Sequence, residues 1–474
     1  MHEKIAILGA GPGGYVAAIR AAQRGAKVTL IERGPVGGTC LNWGCVPSKI
    51  FKHTADTLET LHNAREFAIT AETAGRCDMP ALIARKEKII ASQAGGIQAL
   101  LQKNGVTLLR GTGMITADHL LTVRQQDEEE TQVAWDKLIL ATGSHPAAIP
   151  GFAFDGRRIL SSDDIFSLDS VPESLAIAGG GVIGCELACI FHGLGSRVTL
   201  VEAMDRLLPL PSVDEECSKL LLREMKKKKI LVLTGRTLLA GTIGTERLEL
   251  TIGKAGAGDR DCAATRQESC ERLLICIGRT PNSRGIGLET IGVECDARGW
   301  VMTDARLRTT NEDVYAIGDL LGPARVMLAH VASTEGEIAA ANCLGDRQEM
   351  RYDIVPGAIF TMPEIGTVGL SETEARSRYS QVRADTVLFR TLAKAQITGE
   401  IAGQAKIVSE AGTGRILGVH IAGPHATELI AEATLAMRQG ATVHDLAETI
   451  HAHPTLAEIM LETSFKALDR PLHG

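Results

Sequence analysis

"KIAILGAGPGGYVAAIRAAQRGAKVTLIE", residues 4–32, reads as an apolar strand, a glycine-rich turn, a stretch of helical period and a second strand closed by an acid. The glycines stand at 9, 11 and 14 in the spacing Gly-x-Gly-x-x-Gly, and the closing acid is Glu32. The pattern predicts a strand–turn–helix–strand unit that carries a dinucleotide. Gly9 makes the tight turn, Gly11 lets the backbone approach a pyrophosphate, and Gly14 lets the helix pack closely on the strand. The helix start offers unpaired N–H groups and the positive end of its dipole to the phosphates. Glu32 is placed to accept hydrogen bonds from a ribose hydroxyl pair.

One such triplet is a weak signal, but this chain holds two. Residues 175–202 read "LAIAGGGVIGCELACIFHGLGSRVTLVE", and a single offset of 170 brings Gly9, Gly11, Gly14 and Glu32 onto Gly179, Gly181, Gly184 and Glu202. Two units predict an α/β chain with two Rossmann-like domains holding two dinucleotides. A carboxylate at Glu202 repels a 2′-phosphate, and no arginine pair follows it in "VEAMDRLL". The second unit therefore favours NAD over NADP. A nicotinamide must exchange its hydride with something, and the simplest second cofactor is a flavin, FAD. Three further apolar strands end in glycine beside a small polar or charged residue: "LILATGS" (138–144), "LLICIGR" (273–279) and "VYAIGD" (314–319). Such ends bring polar groups to the carboxyl edge of a parallel sheet, where ligands bind. They make Thr142, Gly143, Ser144 and Gly278 candidate cofactor contacts. Asp319 is a candidate for a ribityl chain, with a helix N-cap as its alternative role.

Cys40 follows Glu32 by eight residues, inside "GGTCLNWGCVPSK" (37–49), and Cys45 follows Cys40 by five. Such a pair can be a structural staple, half a metal site or a redox couple. Zinc ligands usually come as Cys-x2–4-Cys with a second pair elsewhere, and none is seen. In an ideal helix residues five apart are separated by ~7.5 Å along the axis. A disulfide wants Cα atoms about 5.5–6 Å apart and does not close beyond about 7 Å. If the two sulfurs bridge, the helix must be distorted there, and Gly44 and Pro47 permit it. A strained, accessible bridge is a labile one. Buried thiols and a metal half-site stay open as readings beside the redox couple, which the flanking dinucleotide unit favours.

The rest of the chain sets the context. At 474 residues it suggests about three domains of ~150 residues. A net charge of −7 leaves no basic footprint for nucleic acid, and the Lys226–Lys229 run reads as a solvated helix end. The opening "MHEKIAILGAG" has no signal-peptide pattern, and no run nears the ~20 apolar residues of a membrane span. The expectation is a cytoplasmic protein, and a disulfide that persists there is usually catalytic or redox-sensing. Most of the 11 cysteines, Cys185, Cys189 and Cys276 among them, read as core fillers. Near the end, "AKIVSEAGTGRILGVHIAGP" predicts an antiparallel hairpin, and "ATELIAEATLAMRQGATVHDLAETI" two helices broken at Gly440. "HAHPTLAEIMLE" (451–462) follows. Thiol chemistry at neutral pH needs a base, and histidine is the usual one.

The cysteine motif, the two glycine units and this ending together resemble the pyridine nucleotide-disulfide oxidoreductase family over essentially the whole chain. The resemblance implies an FAD-binding domain over 1–147, an NAD-binding domain over 148–273, a central part completing the FAD region over 274–346, and a C-terminal α+β dimerisation domain over 347–474. By it Cys40 is the interchange thiol that meets substrate, and Cys45 lies against the flavin. Lys49 sits near the isoalloxazine, paired with Glu186. "RGTGM" corresponds to a turn whose Gly113 contacts FAD, and Met327, Leu328, Ala329 and His330 to a flavin-contacting segment preceded by two extra residues. Gly278 and, by looser alignment, Thr237 contact NAD. His453, before Pro-Thr, is the base, and Glu458 orients it; His451 is read as packing. Since His453 stands over 400 residues from Cys40, the resemblance implies a homodimer whose C-terminal domains complete each other's sites.

"GVHIAGPHATELIAEATLAM" is similar to the lipoamide branch, and no additional cysteine pair follows His453. The implied reaction is oxidation of protein-bound dihydrolipoamide with reduction of NAD+, in a 2-oxo acid dehydrogenase or glycine-cleavage complex. With no lipoyl-bearing segment ahead of Met1, the lipoyl group is expected on a partner carrier protein. Two rival readings differ in class: an NADH-dependent reductase of glutathione or coenzyme A disulfide, and a non-catalytic FAD/NAD redox sensor. No metal is expected.

Overall fold

The computed structural model describes residues 2–70, 75–125, 127–244, 247–256 and 265–473. Strand Lys4–Leu8 pairs in parallel with Lys27–Glu32 on one side and Lys137–Leu140 on the other, and Thr107–Arg110 and Val314–Ala316 complete a five-stranded parallel sheet. The central strands are almost wholly apolar because both faces are covered, one by helices and the other by a three-stranded antiparallel sheet. Helix Pro12–Gln23 packs on this sheet beside helix Ala329–Cys343. A second parallel sheet repeats the plan, with Ser174–Ala178 between Arg197–Glu202 and Arg272–Ile275, and Leu231–Thr234 and Ile159–Leu160 at its edges. Each parallel sheet is accompanied by a three-stranded antiparallel one, of strands Thr112–Ala117, Leu120–Arg124 and Glu130–Ala134 and of strands Arg236–Ile243, Leu248–Lys254 and Arg266–Cys270 respectively.

The glycine triplets behave as their spacing predicts. A Cβ at Gly14 would meet the Gly9 carbonyl oxygen at 1.9 Å, and one at Gly184 the Gly179 oxygen at 1.8 Å. Only glycine lets helix and strand approach this closely.

A five-stranded antiparallel sheet forms the C-terminal part, ordered 357–359, 364–369, 416–423, 404–410, 382–388. The expected hairpin is its Gln404–Glu410 and Ile416–Gly423 pair. Helices Ala426–Gln439 and Val443–Glu448 follow, and Gly440, at φ +70°, ends the first of them.

Long-range contacts lock these parts together. Phe51 of helix Cys45–His62 is fully buried against Phe166 and Phe191, in a core shared with the second parallel sheet. The lysine run does end a helix, Glu215–Lys227, but Lys228 is not simply solvated: it pairs with Glu59 of the cysteine-bearing helix. Lys406 of the C-terminal sheet is buried and meets Asp214 at 3.0 Å, Glu216 at 2.9 Å and Glu372 at 2.9 Å. Cys185 and Cys189 are core residues, whereas Cys276 is only half-buried and faces the cleft described next.

Candidate active site

A continuous cleft of about 2320 Å³ runs along the carboxyl edges of both parallel sheets. It is lined by the first glycine turn, the second glycine turn and all three of the glycine-ended strands singled out above. Gly11 and Gly181 face open space, with nothing within 4 Å of where a Cβ would stand, and so do Gly143 and Gly278. Helices Pro12–Gln23 and Val182–Leu194 start here with no capping side chain and no acid in the first turn. Their free N–H groups and bare dipoles suit a pyrophosphate at each turn. Gly14 and Gly184 do not line the cleft; they shape it from behind by letting the helices close on the strands.

Glu32 and Glu202 sit at corresponding strand ends. Glu32 accepts from the Ala10 amide at 2.6 Å and the Gly34 amide at 2.6 Å; Glu202 accepts from Gly180 at 2.5 Å and Met204 at 2.7 Å. These bonds aim both carboxylates into the cleft and leave them further lone pairs for ribose hydroxyls.

The cysteine pair lies on a broken helix. Helix Gly38–Asn42 ends at Trp43, and helix Cys45–His62 restarts after Gly44, whose φ and ψ are −121° and −105°. The interruption the five-residue spacing demands of a bridge is thus present between the two sulfurs. Both are free thiols here, within hydrogen-bonding contact of one another. That hydrogen bond, helped by Lys49 and opposed by burial, holds Cys45 down at about 7, and the same contact pushes Cys40 up. Cys45 is the sulfur poised as thiolate. One turn on, Lys49 Nζ lies 2.9 Å from Glu186 and 4.2 Å from the centroid of the Phe360 ring. Glu186 accepts from the Phe360 amide through its other oxygen, at 2.9 Å. The expected ion pair is formed.

Thr142, Ser144, Gly113, Thr237, Asp319 and the 327–330 segment also reach the cleft. Gly113 does so from strand Thr112–Ala117 rather than from a turn, packed against Leu8 because it has no side chain. Asp319 caps no helix: it accepts from Ser144 at 2.8 Å within a short 3-10 turn, and the next helix begins at Ala329. Arg279 completes this corner, donating to Ser144 at 2.6 Å and lying 3.6 Å from Asp319. Sequence reasoning stopped at Gly278 and missed it; the charged end of "LLICIGR" was the available signal.

His453 and Glu458 lie elsewhere. His453 Nδ1 is 2.9 Å from Glu458, whose other oxygen accepts from the Thr455 amide at 2.9 Å. A carboxylate only accepts, so the Nδ1 proton points at Glu458 and the lone pair of Nε2 is free to act as base. Although burial opposes it, the Thr455 amide and His453 hold Glu458 below the usual carboxylate range. The His453 side chain is 70% exposed, and among the described residues none beyond Glu374 lines the cleft. His451 packs, as read from sequence, but with a partner: it is 2.9 Å from Glu432.

Residues 3–336 match the family described as pyridine nucleotide-disulphide oxidoreductase, and residues 355–464 match its dimerisation domain. The chain belongs to this family. Among relatives of this oxidoreductase, the dihydrolipoyl dehydrogenase of Chlamydia trachomatis serovar D is 41% identical over 470 residues, covering 98% of this chain and 97% of that one. The dihydrolipoyl dehydrogenase of Bacillus subtilis is 37% identical over 479 residues, covering 99% and 98%. A crystal structure of LpdA from Mycobacterium tuberculosis superposes with a TM-score of 0.90 at 28% identity, covering 98% of this oxidoreductase and 99% of LpdA. The two Rossmann-like domains and C-terminal α+β domain are the architecture of the family.

Proposed function

We infer that the chain is an FAD- and NAD-dependent dihydrolipoamide dehydrogenase, acting as a homodimer on a lipoyl group borne by a partner carrier protein. The observation that carries this reading is the thiol pair, opened by a helix break, in a cleft lined by two glycine turns with open space at Gly11 and Gly181. A lipoyl carrier of a 2-oxo acid dehydrogenase or glycine-cleavage complex is the partner that suits a two-sulfur relay, and a cytosolic setting suits free thiols. Among the described residues no helix is long and apolar enough to cross a membrane.

The first glycine turn, Glu32, Gly113, the 142–144 turn, Asp319 and the 327–330 segment would hold FAD. Gly179, Gly181, Glu202, Thr237 and Gly278 would hold NAD. When bound, FAD supplies a two-electron acceptor for Cys45 and a hydride donor for NAD+.

The protein's own steps start from the oxidised pair. A substrate thiolate attacks Cys40 Sγ, the Cys40–Cys45 bond breaks, and Cys45 leaves as a thiolate. The second substrate sulfur then displaces Cys40, closing the substrate disulfide. His453 of a second copy takes the first substrate thiol's proton at Nε2, and Glu458 stabilises the resulting imidazolium. The second thiol's proton goes to Cys40 as it leaves as a thiol, and the electron pair is left on Cys45 beside Lys49.

The test is a comparison of lipoamide, glutathione disulfide and coenzyme A disulfide as substrates of the purified yellow protein. Turnover with lipoamide alone is expected. Equal turnover of glutathione disulfide, or bound FAD without any turnover, would overturn the assignment.

A further inference from the structure

Glu335 lies inside helix Ala329–Cys343, the helix whose first residues line the cleft, and is 1% exposed. One carboxylate oxygen accepts from the Gly318 amide at 2.6 Å, directly before Asp319. The other accepts from the Tyr352 hydroxyl at 2.6 Å. Tyr352 belongs to the segment leading into the C-terminal sheet, and the Arg325 guanidinium lies over its ring at 5.1 Å. Gly318, at φ +69°, starts the short turn that presents Asp319 to Ser144. Tyr352, Arg325, Gly318 and Asp319 all line the cleft; Glu335 stands behind them and touches nothing in it directly.

We propose that Glu335 is a positioning residue for the flavin: it fixes the Gly318–Asp319 turn through one oxygen, is clamped by Tyr352 through the other, and makes FAD retention respond to pH. The inference rests on the proposed reading of the cleft as an FAD site. A buried carboxylate with one amide and one hydroxyl donor is a two-state group. As an anion it accepts from both; once protonated it still accepts from Gly318 while donating to the tyrosine oxygen. The groups that face it are few. Asp319 opposes the anion, and Arg325 and the two donors favour it, while on the side of helix Pro12–Gln23 the backbone of Gly13 and Ala17 packs on neighbouring Gly336 and Arg20 pairs with the exposed Glu337 at 3.0 Å. Burial is the largest influence and pushes Glu335 up to about 7, against the donors.

The sign follows. A carboxyl raised in the folded state favours the protonated form, and that contribution is lost as pH rises through about 7. An anionic dinucleotide that also expels water disfavours the carboxylate further, so FAD binding takes up a proton at Glu335. Flavin should therefore be held tighter on the acid side of neutrality.

The experiment follows flavin fluorescence after dilution of holoenzyme into FAD-free buffer across the neutral range, with the melting temperature recorded alongside. In the natural protein, release should quicken about tenfold as pH rises through one inflection near neutrality. Glu335→Gln mimics the protonated form, with an amide for Tyr352 and an oxygen for Gly318. It should release flavin slowly with no inflection. Glu335→Ala, losing both bonds, should release it faster at every pH, and Tyr352→Phe should displace the inflection. An unchanged inflection in Glu335→Gln, or Glu335→Ala holding flavin as the natural protein does, overturns the proposal. If Glu335→Ala does not fold, the isosteric Gln variant decides alone. Protein that never carries FAD would instead sink the functional reading itself.

Discussion

Lys49 and Glu186 stand 137 positions apart in the chain and 2.9 Å apart in space, joining the cysteine-bearing helix to the helix behind the second glycine turn. The pair ties the sulfur chemistry to the nicotinamide side of the cleft. Lys49 also lowers the proton affinity of Cys45, while Glu186 opposes it.

Lys49→Met should therefore raise the pH at which the Cys45 thiolate forms. In the natural reduced protein that thiolate is present above about 7 and lost below it. The variant's midpoint should rise by about one unit, the scale of a lost neighbouring charge. Peptide-resolved alkylation of Cys45 as a function of pH reads it; an unmoved midpoint would show that Lys49 serves packing only.

Cys45→Ser should keep its yellow cofactor but lose lipoamide turnover, because substrate sulfur can no longer pass its electron pair inward. Transfer from NADH to an artificial dye should survive in part. Lipoamide turnover at the natural rate removes Cys45 from the relay.

His453→Gln should slow turnover by about 10²–10⁴, the range of a lost acid–base group. Glu458→Gln should slow it less, since Gln can still hold the imidazole but cannot balance its positive charge. Steady-state rates with lipoamide check the order of the two effects, and a faster His453 variant than Glu458 variant would reverse the assigned roles.

Lys406→Met should leave Asp214 without its cation, while Glu372 keeps Arg376 at 2.8 Å. The Lys406 and Asp214 side chains are each 4% exposed, so the loss is expected to cost about 3–5 kcal/mol of stability, the scale for a broken buried pair. Although burial opposes it, His420 and then Lys406 hold Asp214, and Lys406 with Arg376 holds Glu372, below the usual carboxylate range. Their contribution is thus present at neutral pH and lost on acidification. Denaturant melts at neutral and acid pH should show the variant's deficit shrinking as pH falls.

Local features were legible in the sequence because local physics produces them. The 170-residue repeat foretold two parallel sheets, and Gly14 and Gly184 close on Gly9 and Gly179 as the spacing requires. The distance a disulfide can span calls for a distortion, with Gly44 and Pro47 to permit it; the break falls at Trp43–Gly44, while Pro47 lies in the first turn of the restarted helix. The family resemblance puts Gly113 in a turn, whereas here it spares Leu8 a collision within a strand. Arg279 with Ser144, Phe360 with Glu186, and Glu335 with Gly318 and Tyr352 left no periodic trace. They join distant segments, and only the folded chain shows which polar groups meet.

The cleft and the exposed His453–Glu458 pair belong to different regions of one subunit. On the proposed reading, holding a pigment is a property of each chain, whereas turnover belongs to the association of two. On progressive dilution the yellow should persist after specific activity has begun to fall. Mixed dimers of Cys45→Ser and His453→Gln chains should regain one working centre in two.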